Sequence, residues 1–215
     1  KISLLPGQHV IDVGSGIGGA ARYVAEKFGC RVTGIDLTPD FVETARTLTR
    51  MVGLSENVDF HPGSALAMPF EEGTFDAAIT LHVAMNIKDR QGLYREVARV
   101  LRPRAPFLIY DVMKGQGEGL RFPMPWAASP ETSHLETPEA MRELLADAGF
   151  VLEEIEDRTA FGIEFFRQRL ASASTLPPVG LQLLIGPEMR QRFANLLEAL
   201  EAGAVAPVVM VARRS

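Results

Sequence analysis

One cysteine, Cys30, stands among 215 residues. No internal disulfide can brace the fold, and a reducing, cytoplasmic setting is the natural expectation. No apolar run reaches the roughly 20 residues of a membrane-spanning helix, and no basic-then-apolar leader opens the chain. A dominant charge is also missing: the net charge is −5 with 23% charged residues, which gives no electrostatic reason to expect nucleic acid or an anionic membrane as partner. Internal repeats and low-complexity segments are absent, and no metal site is assigned. The chain opens at Lys1, about nine residues before the first apolar run, so a leading segment is expected to precede it.

What is present is alternation. Val10–Val13, Arg31–Asp36, Val58–His61, Phe75–Leu81 and Pro106–Asp111 read as strands. Between them lie helical patterns, one through Ala21, Val24, Ala25 and Phe28, one starting at Thr38-Pro39, and one over Lys88–Leu101. Such order predicts a parallel sheet with helices on both faces. Residues 112–136, rich in glycine and proline, read as a long loop of the lid or binding kind. Thr137-Pro138 then starts a helix closed by Gly149. Phe150–Ile155 is a sixth strand, two helices follow near 160–171 and 187–200, and Val205–Val211 is a seventh strand. Pro207 conflicts with that last strand unless its missing donor is not needed there. The whole, 1–215, reads as a single α/β domain.

The chemistry gathers at Val10-Ile11-Asp12-Val13-Gly14-Ser15-Gly16-Ile17-Gly18-Gly19. A strand runs into a helix through a turn nearly free of side chains, where a ligand can approach the backbone and the positive helix end. The spacing satisfies two fingerprints. Gly14, Gly16 and Gly19 fit a dinucleotide turn, while Asp12 with Gly14, Gly16 and Gly18 fits a turn for a methionyl nucleoside. Asp12 lies where an ammonium would be welcome and a pyrophosphate would not. Asp36, 24 residues further on, can accept from both ribose hydroxyls of either cofactor, or be a solvated carboxylate before a helix start.

With VIDVGSGIGG, GIDLTP, HPGSALAMPFEEGTFDAAIT and LYREVARVLRPRAPFLIYD in succession, the chain resembles the class I S-adenosylmethionine-dependent methyltransferases over residues 5–215. Nicotinamide dehydrogenases do not follow their glycine turn with this set, and no hydride-transfer group stands out. The resemblance implies a Rossmann-like, seven-stranded, mostly parallel sheet of order 3-2-1-4-5-7-6 with the last strand antiparallel. It implies S-adenosyl-L-methionine as cofactor and S-adenosyl-L-homocysteine as product. Asp12, Gly14, Ser15 and Gly16 would meet the amino-acid end, Asp36 the ribose, Leu37 the adenine face, Ser64 and Ala65 the adenine edge, and Leu81 and His82 the methionyl chain. At two places the chain departs from the family: Ser64 replaces a common Asp, and Pro103-Arg104-Ala105-Pro106 replaces Pro-Gly-Gly.

HVAMNIKDRQGLYREVARVLRP and FPMPWAASPETSHLETPEAMRELLADAGF look most like the sarcosine/dimethylglycine N-methyltransferase type, with quinone, tocopherol and sterol C-methyltransferases as cousins. The expected partner is therefore a small-molecule acceptor, with the protein a monomer or homodimer. A C- or O-methyltransferase for a hydrophobic molecule is the alternative, and a silent cofactor-binding regulator is another. His82 is the candidate base, although a histidine at a strand end is often a packing contact. The loop at 112–136 and a helical cap over roughly 158–203 would form the acceptor side, with Phe122, Trp126, Phe161 and Phe165 as its wall. At least two of Phe161, Phe165 and Phe166 are expected in the core. Arg121, Arg167 and Arg169 are available for an acceptor carboxylate.

Overall fold

Strand β1 (His9–Val13) sets the architecture, because every residue after His9 is buried and its side chains alternate between two cores. Val10 packs into one cluster with Ala21, Val24, Val42 and Ala45; Ile11 and Val13 pack into another with Leu93, Val97, Phe107 and Met141. The first cluster lies under helices α1 (Gly19–Phe28) and α2 (Pro39–Met51), the second under α3 (Arg90–Val100) and α4 (Pro138–Asp147). Helices thus cover both faces, as the alternation predicts. This computed structural model describes residues 1–171, 180 and 182–215; the expected cap over 158–203 therefore lies partly outside the described residues.

The remaining strands are β2 (Arg31–Asp36), β3 (Val58–Pro62), β4 (Ala77–Leu81), β5 (Pro106–Lys114), β6 (Phe150–Asp157) and β7 (Val205–Arg214), in the order β3-β2-β1-β4-β5-β7-β6. The first five pair in parallel, and β7 runs antiparallel to β5 and β6. The order reverses between β1 and β4, which opens a crevice at the carboxyl ends of these strands. Three further helices, α5 (Thr159–Ala171), α6 (Gln182–Ile185) and α7 (Met189–Glu201), close the chain's second half. Among the described residues, no helix is long and apolar enough to cross a membrane.

Local chemistry explains the boundaries. Thr137 caps α4 by accepting from the Ala140 N–H at 3.2 Å, and Asp89 caps α3 through the Gly92 N–H. Thr38 holds the N-cap position before Pro39, but its side chain makes no cap bond; its N–H instead donates to Asp36 Oδ1 at 2.9 Å. Strand β5 runs to Lys114, three residues into the segment read as loop, because Val112 and Met113 are apolar and pair with β7. Pro207 is tolerated in β7 since its carbonyl accepts the Arg158 N–H from beyond the end of β6. The absent N–H would lie on that same side, so no β5–β7 bond is lost. Arg104, where the family has glycine, adopts a left-handed φ of 66°, pinned by β7: its N–H donates to the Arg214 carbonyl and its carbonyl accepts from Arg213.

Candidate active site

The glycine turn between β1 and α1 is held by its own backbone. The N–H groups of Gly14 and Ser15 both donate to the Ile35 carbonyl, that of Gly16 donates to Asp36 Oδ2 at 2.7 Å, and that of Gly18 to the Ser15 carbonyl. Gly14 has a φ of 77°, and a Cβ there would stand 2.4 Å from the Val83 side chain, so no larger residue fits without displacing Val83.

Asp12 lies beneath this turn, 2% exposed. Burial pushes its pKa up to about 7, opposed by a hydrogen bond from the Ala21 N–H in the first turn of α1, with nearby Asp36 adding to the rise. Its Oδ2 and the buried Ser15 Oγ have no partner. The position of Asp12 separates the two fingerprints. A dinucleotide turn offers its free N–H groups and its helix N-terminus to a pyrophosphate. Here the N–H groups at 14, 15, 16 and 18 are spent, and a carboxylate of the protein already occupies the helix end. Such a site repels an anion and leaves an acceptor oxygen for a cation.

Asp36 ends β2 beside this turn, half-buried, each carboxylate oxygen holding one backbone N–H and keeping a lone pair free. The Gly63 N–H donates to the Asp36 carbonyl, which brings Ser64 to the same rim. Ser64 Oγ accepts from the Leu66 N–H at 3.1 Å, leaving its own hydrogen to donate. Ala65 packs against the core, while Leu37 next to Asp36 is 75% exposed. A planar base laid over Leu37 would cover that apolar surface.

From the turn a cleft of about 890 Å³ extends across the sheet edge. Its floor is Gly16, Ile17, Leu81 and His82, continued by Tyr110 and Val112 of β5. Trp126, Phe161 and Phe165 line it, joined by Phe166 and Phe193. Phe161 and Phe165 are more than 40% exposed, so of the three phenylalanines of α5 only Phe166 is packed into a cluster. The core assignment fails because α5 turns this face to the cleft, with Gly162 set against Leu200 and Pro207. Phe122 does not line the cleft. Asn195 bonds the Pro123 carbonyl and Arg192 the Met124 carbonyl, drawing this segment onto α7, where Phe122 joins the cluster around Leu196 and Leu200.

His82 follows β4 with a strained φ of 60°, its N–H bonded to the Tyr110 carbonyl at 2.7 Å and its ring 4.6 Å from the Tyr110 ring. Its surface is open to the cleft, yet it is sunk among protein atoms, and burial lowers its pKa. The imidazole is therefore neutral near pH 7 and able to accept a proton. Arg192 is the lone Lys or Arg among the described lining residues, and both its Nη atoms are engaged, by the Met124 carbonyl and Glu188. Arg121 and Arg167 pair with Glu198 and Glu201, and neither they nor Arg169 line the cleft. No cluster able to hold a metal occurs among the described residues.

Several site residues escaped the reading of the sequence. Phe41, Met85, Asn86 and Tyr110 line the cleft. Asp111 of β5 is fully buried, and the charge of the buried Arg90 of α3 favours its ionised form against that burial. A carboxylate inside the apolar run Phe107–Met113 was the available signal.

Residues 11–109 match the family model of the methyltransferase domain. A sarcosine/dimethylglycine N-methyltransferase from Halorhodospira halochloris is 31% identical over 159 residues, 72% of this chain and 55% of that protein. A sterol 24-C-methyltransferase from Gibberella zeae is 34% identical over 111 residues, 52% of this chain and 29% of that protein. The chain spans between about a third and about half of the length of the curated relatives it matches. Among solved structures, a phosphoethanolamine N-methyltransferase 2 from Haemonchus contortus superposes with a TM-score of 0.84 at 22% identity, over 99% of this chain and 50% of that one. The superposition shows a shared fold, and over residues 11–109 the chain carries the methyltransferase domain.

Proposed function

We propose that the chain binds S-adenosylmethionine and moves its methyl group to an uncharged, largely apolar small molecule. One observation carries the choice of cofactor: Asp12 fills the helix end that a pyrophosphate would need and keeps one buried oxygen unpartnered. A methionyl ammonium supplies the missing partner. The residues on the rim fit the rest, with Asp36 accepting from the ribose hydroxyls, Leu37 flanking the adenine, Ser64 and Ala65 at its edge, and Leu81 and His82 along the methionyl chain.

When bound, the cofactor supplies an electrophilic methyl on a sulfonium, ready for in-line displacement. The protein positions the acceptor, excludes water and takes a proton. The loop within 112–136 and the described helices of 158–203 form the acceptor side. Trp126, Phe165 and Phe166 wall it, and the neutral imidazole of His82, which lines the cleft, can take the proton of a phenol, enol or carbon acid. The apolar lining supports such an acceptor over an amino acid, since a carboxylate needs cationic donors and Arg192 holds both Nη atoms on protein acceptors, keeping only a buried Nε–H unpaired.

An amine acceptor such as sarcosine or dimethylglycine is the second reading. The relative from Halorhodospira halochloris and the aromatic wall, which could face a methylated ammonium, favour it. A methyl-transfer screen over sarcosine, dimethylglycine, simple amines and hydrophobic phenols separates the two. Turnover confined to the phenols supports the proposal; turnover confined to the amino acids overturns it. Binding of S-adenosylhomocysteine without any transfer is the result of a silent regulator.

A further inference from the structure

Asp111 is 0% exposed, and neither carboxylate oxygen makes a well-shaped hydrogen bond. Burial pushes its pKa to about 7, while Arg90 and the N–H groups of Val83, Ala84 and Met85 act to keep it ionised. Arg90 is 4% exposed. Its Nη2 donates to the His134 carbonyl at 2.7 Å, its Nη1 lies 3.4 Å from the Met141 sulfur, and its Nε has no partner. The His134 N–H in turn donates to the Met85 carbonyl at 2.9 Å, and neighbouring Ser133 accepts from Trp126 Nε1 at 3.0 Å.

Hydrogen bonds link Arg90 to His134 and His134 to Met85, whereas the buried Asp111 carboxylate enters through its charge, with no hydrogen bond or ion pair of its own. The N–H groups of Val83, Ala84 and Met85, in the segment that follows His82, favour that charge. The guanidinium of α3 grips the strand of loop that carries Trp126. The two halves meet where His134 bonds Met85. Hydrophobic packing alone would fill this space without the desolvation penalty of two buried charges, so their presence needs a role beyond stability.

We propose that Asp111 and Arg90 are positioning residues that hold the Trp126 loop closed against the His82–Asn86 segment and so set the width of the cleft. The inference rests on the cleft being the acceptor site. Its test does not, because Trp126 is the sole tryptophan of the chain and reports loop position in the ligand-free protein.

The variants are Asp111→Asn, Arg90→Met and the double variant, with Leu145→Ala as a buried apolar change in the same core outside the hydrogen bonds of the connection. Emission maximum and acrylamide quenching of Trp126 are read on folded protein, verified by a cooperative thermal transition. Loss of the charge-assisted Arg90–His134 bond is expected to shift the closed-to-open ratio about tenfold or more, and loss of the Asp111 charge to shift it the same way. Emission then moves to longer wavelength and quenching rises in both single variants. The double variant removes both buried charges and is expected to melt above the singles while keeping the altered fluorescence, since the His134 grip is gone. Leu145→Ala should lower the melting temperature and leave Trp126 unchanged. Unaltered fluorescence in the folded Asp111 and Arg90 variants, or an equal change in Leu145→Ala, would overturn the proposal.

Discussion

At the glycine turn almost every backbone donor already has a partner, whereas the aromatic end of the cleft is walled by side chains that mainly touch one another. Gly14, Ser15, Gly16 and Gly18 spend their N–H groups on Ile35, Asp36 and Ser15. Phe161, Phe165, Phe166 and Phe193 instead form a series of ring contacts with centroids 5.1–6.2 Å apart. The turn is local, a strand, five or so residues and a helix. The wall is assembled from a loop after β5 and three helices far along the chain. A preformed polar turn gives a fixed seat for one ligand; an apolar wall without free charges gives room for acceptors that differ in shape.

The contrast can be broken first at the chemistry that joins the two regions. His82→Asn keeps a residue that tolerates the left-handed backbone but removes the base. It should lower transfer to a phenolic acceptor by about 100- to 10,000-fold and weaken S-adenosylhomocysteine far less, since only one contact along the methionyl chain is lost. Equal losses in both would make His82 a cofactor contact only. On the polar side, Asp36→Ala should weaken S-adenosylhomocysteine by roughly 100-fold or more, since two charge-assisted bonds disappear and the Gly16 and Thr38 N–H groups lose their acceptor. Isothermal titration reads this directly.

The next effect is one of pH. Asp12 ionises with a pKa of about 7 in the folded protein, above the value of an unfolded aspartate. The folded state therefore binds more protons across the interval from about 4 to about 7, and stability falls as pH rises through it, then levels off. The difference for one such group is at most on the order of 4 kcal/mol. Asp111 acts in the same direction. Urea unfolding at pH 5 and pH 8 should show the wild type weaker at pH 8, and Asp12→Asn should narrow that gap. The smallest effect belongs to neither region: Arg104→Gly, at a φ of 66° far from the cleft, should raise stability by about 1 kcal/mol by removing left-handed strain.

How much of this was legible follows the same division. The strands and the turn could be read because each depends on neighbours in sequence: Val10–Val13, the glycines, and Asp36 at the end of the next strand; the strand order followed from the family resemblance. Thr38 looked like a capping side chain because its type and place were right, yet the stronger acceptor, the Asp36 carboxylate two residues earlier, decided where its N–H went. The aromatic wall was half legible. Trp126, Phe161 and Phe165 were recognised by type, but nothing in the local pattern told that α5 faces the cleft, or that Asn195 and Arg192 pull Phe122 onto α7. Arg121 and Arg167 could not be excluded by sequence because their partners, Glu198 and Glu201, lie 77 and 34 residues away.

The identity of the seated cofactor rests on the charge beneath the turn, and titration calorimetry with two ligands tests it most directly. The wild-type protein is expected to bind S-adenosylhomocysteine and to show no heat of binding with NAD, because Asp12 occupies the helix end that a pyrophosphate requires. Binding of NAD without S-adenosylhomocysteine would contradict the account.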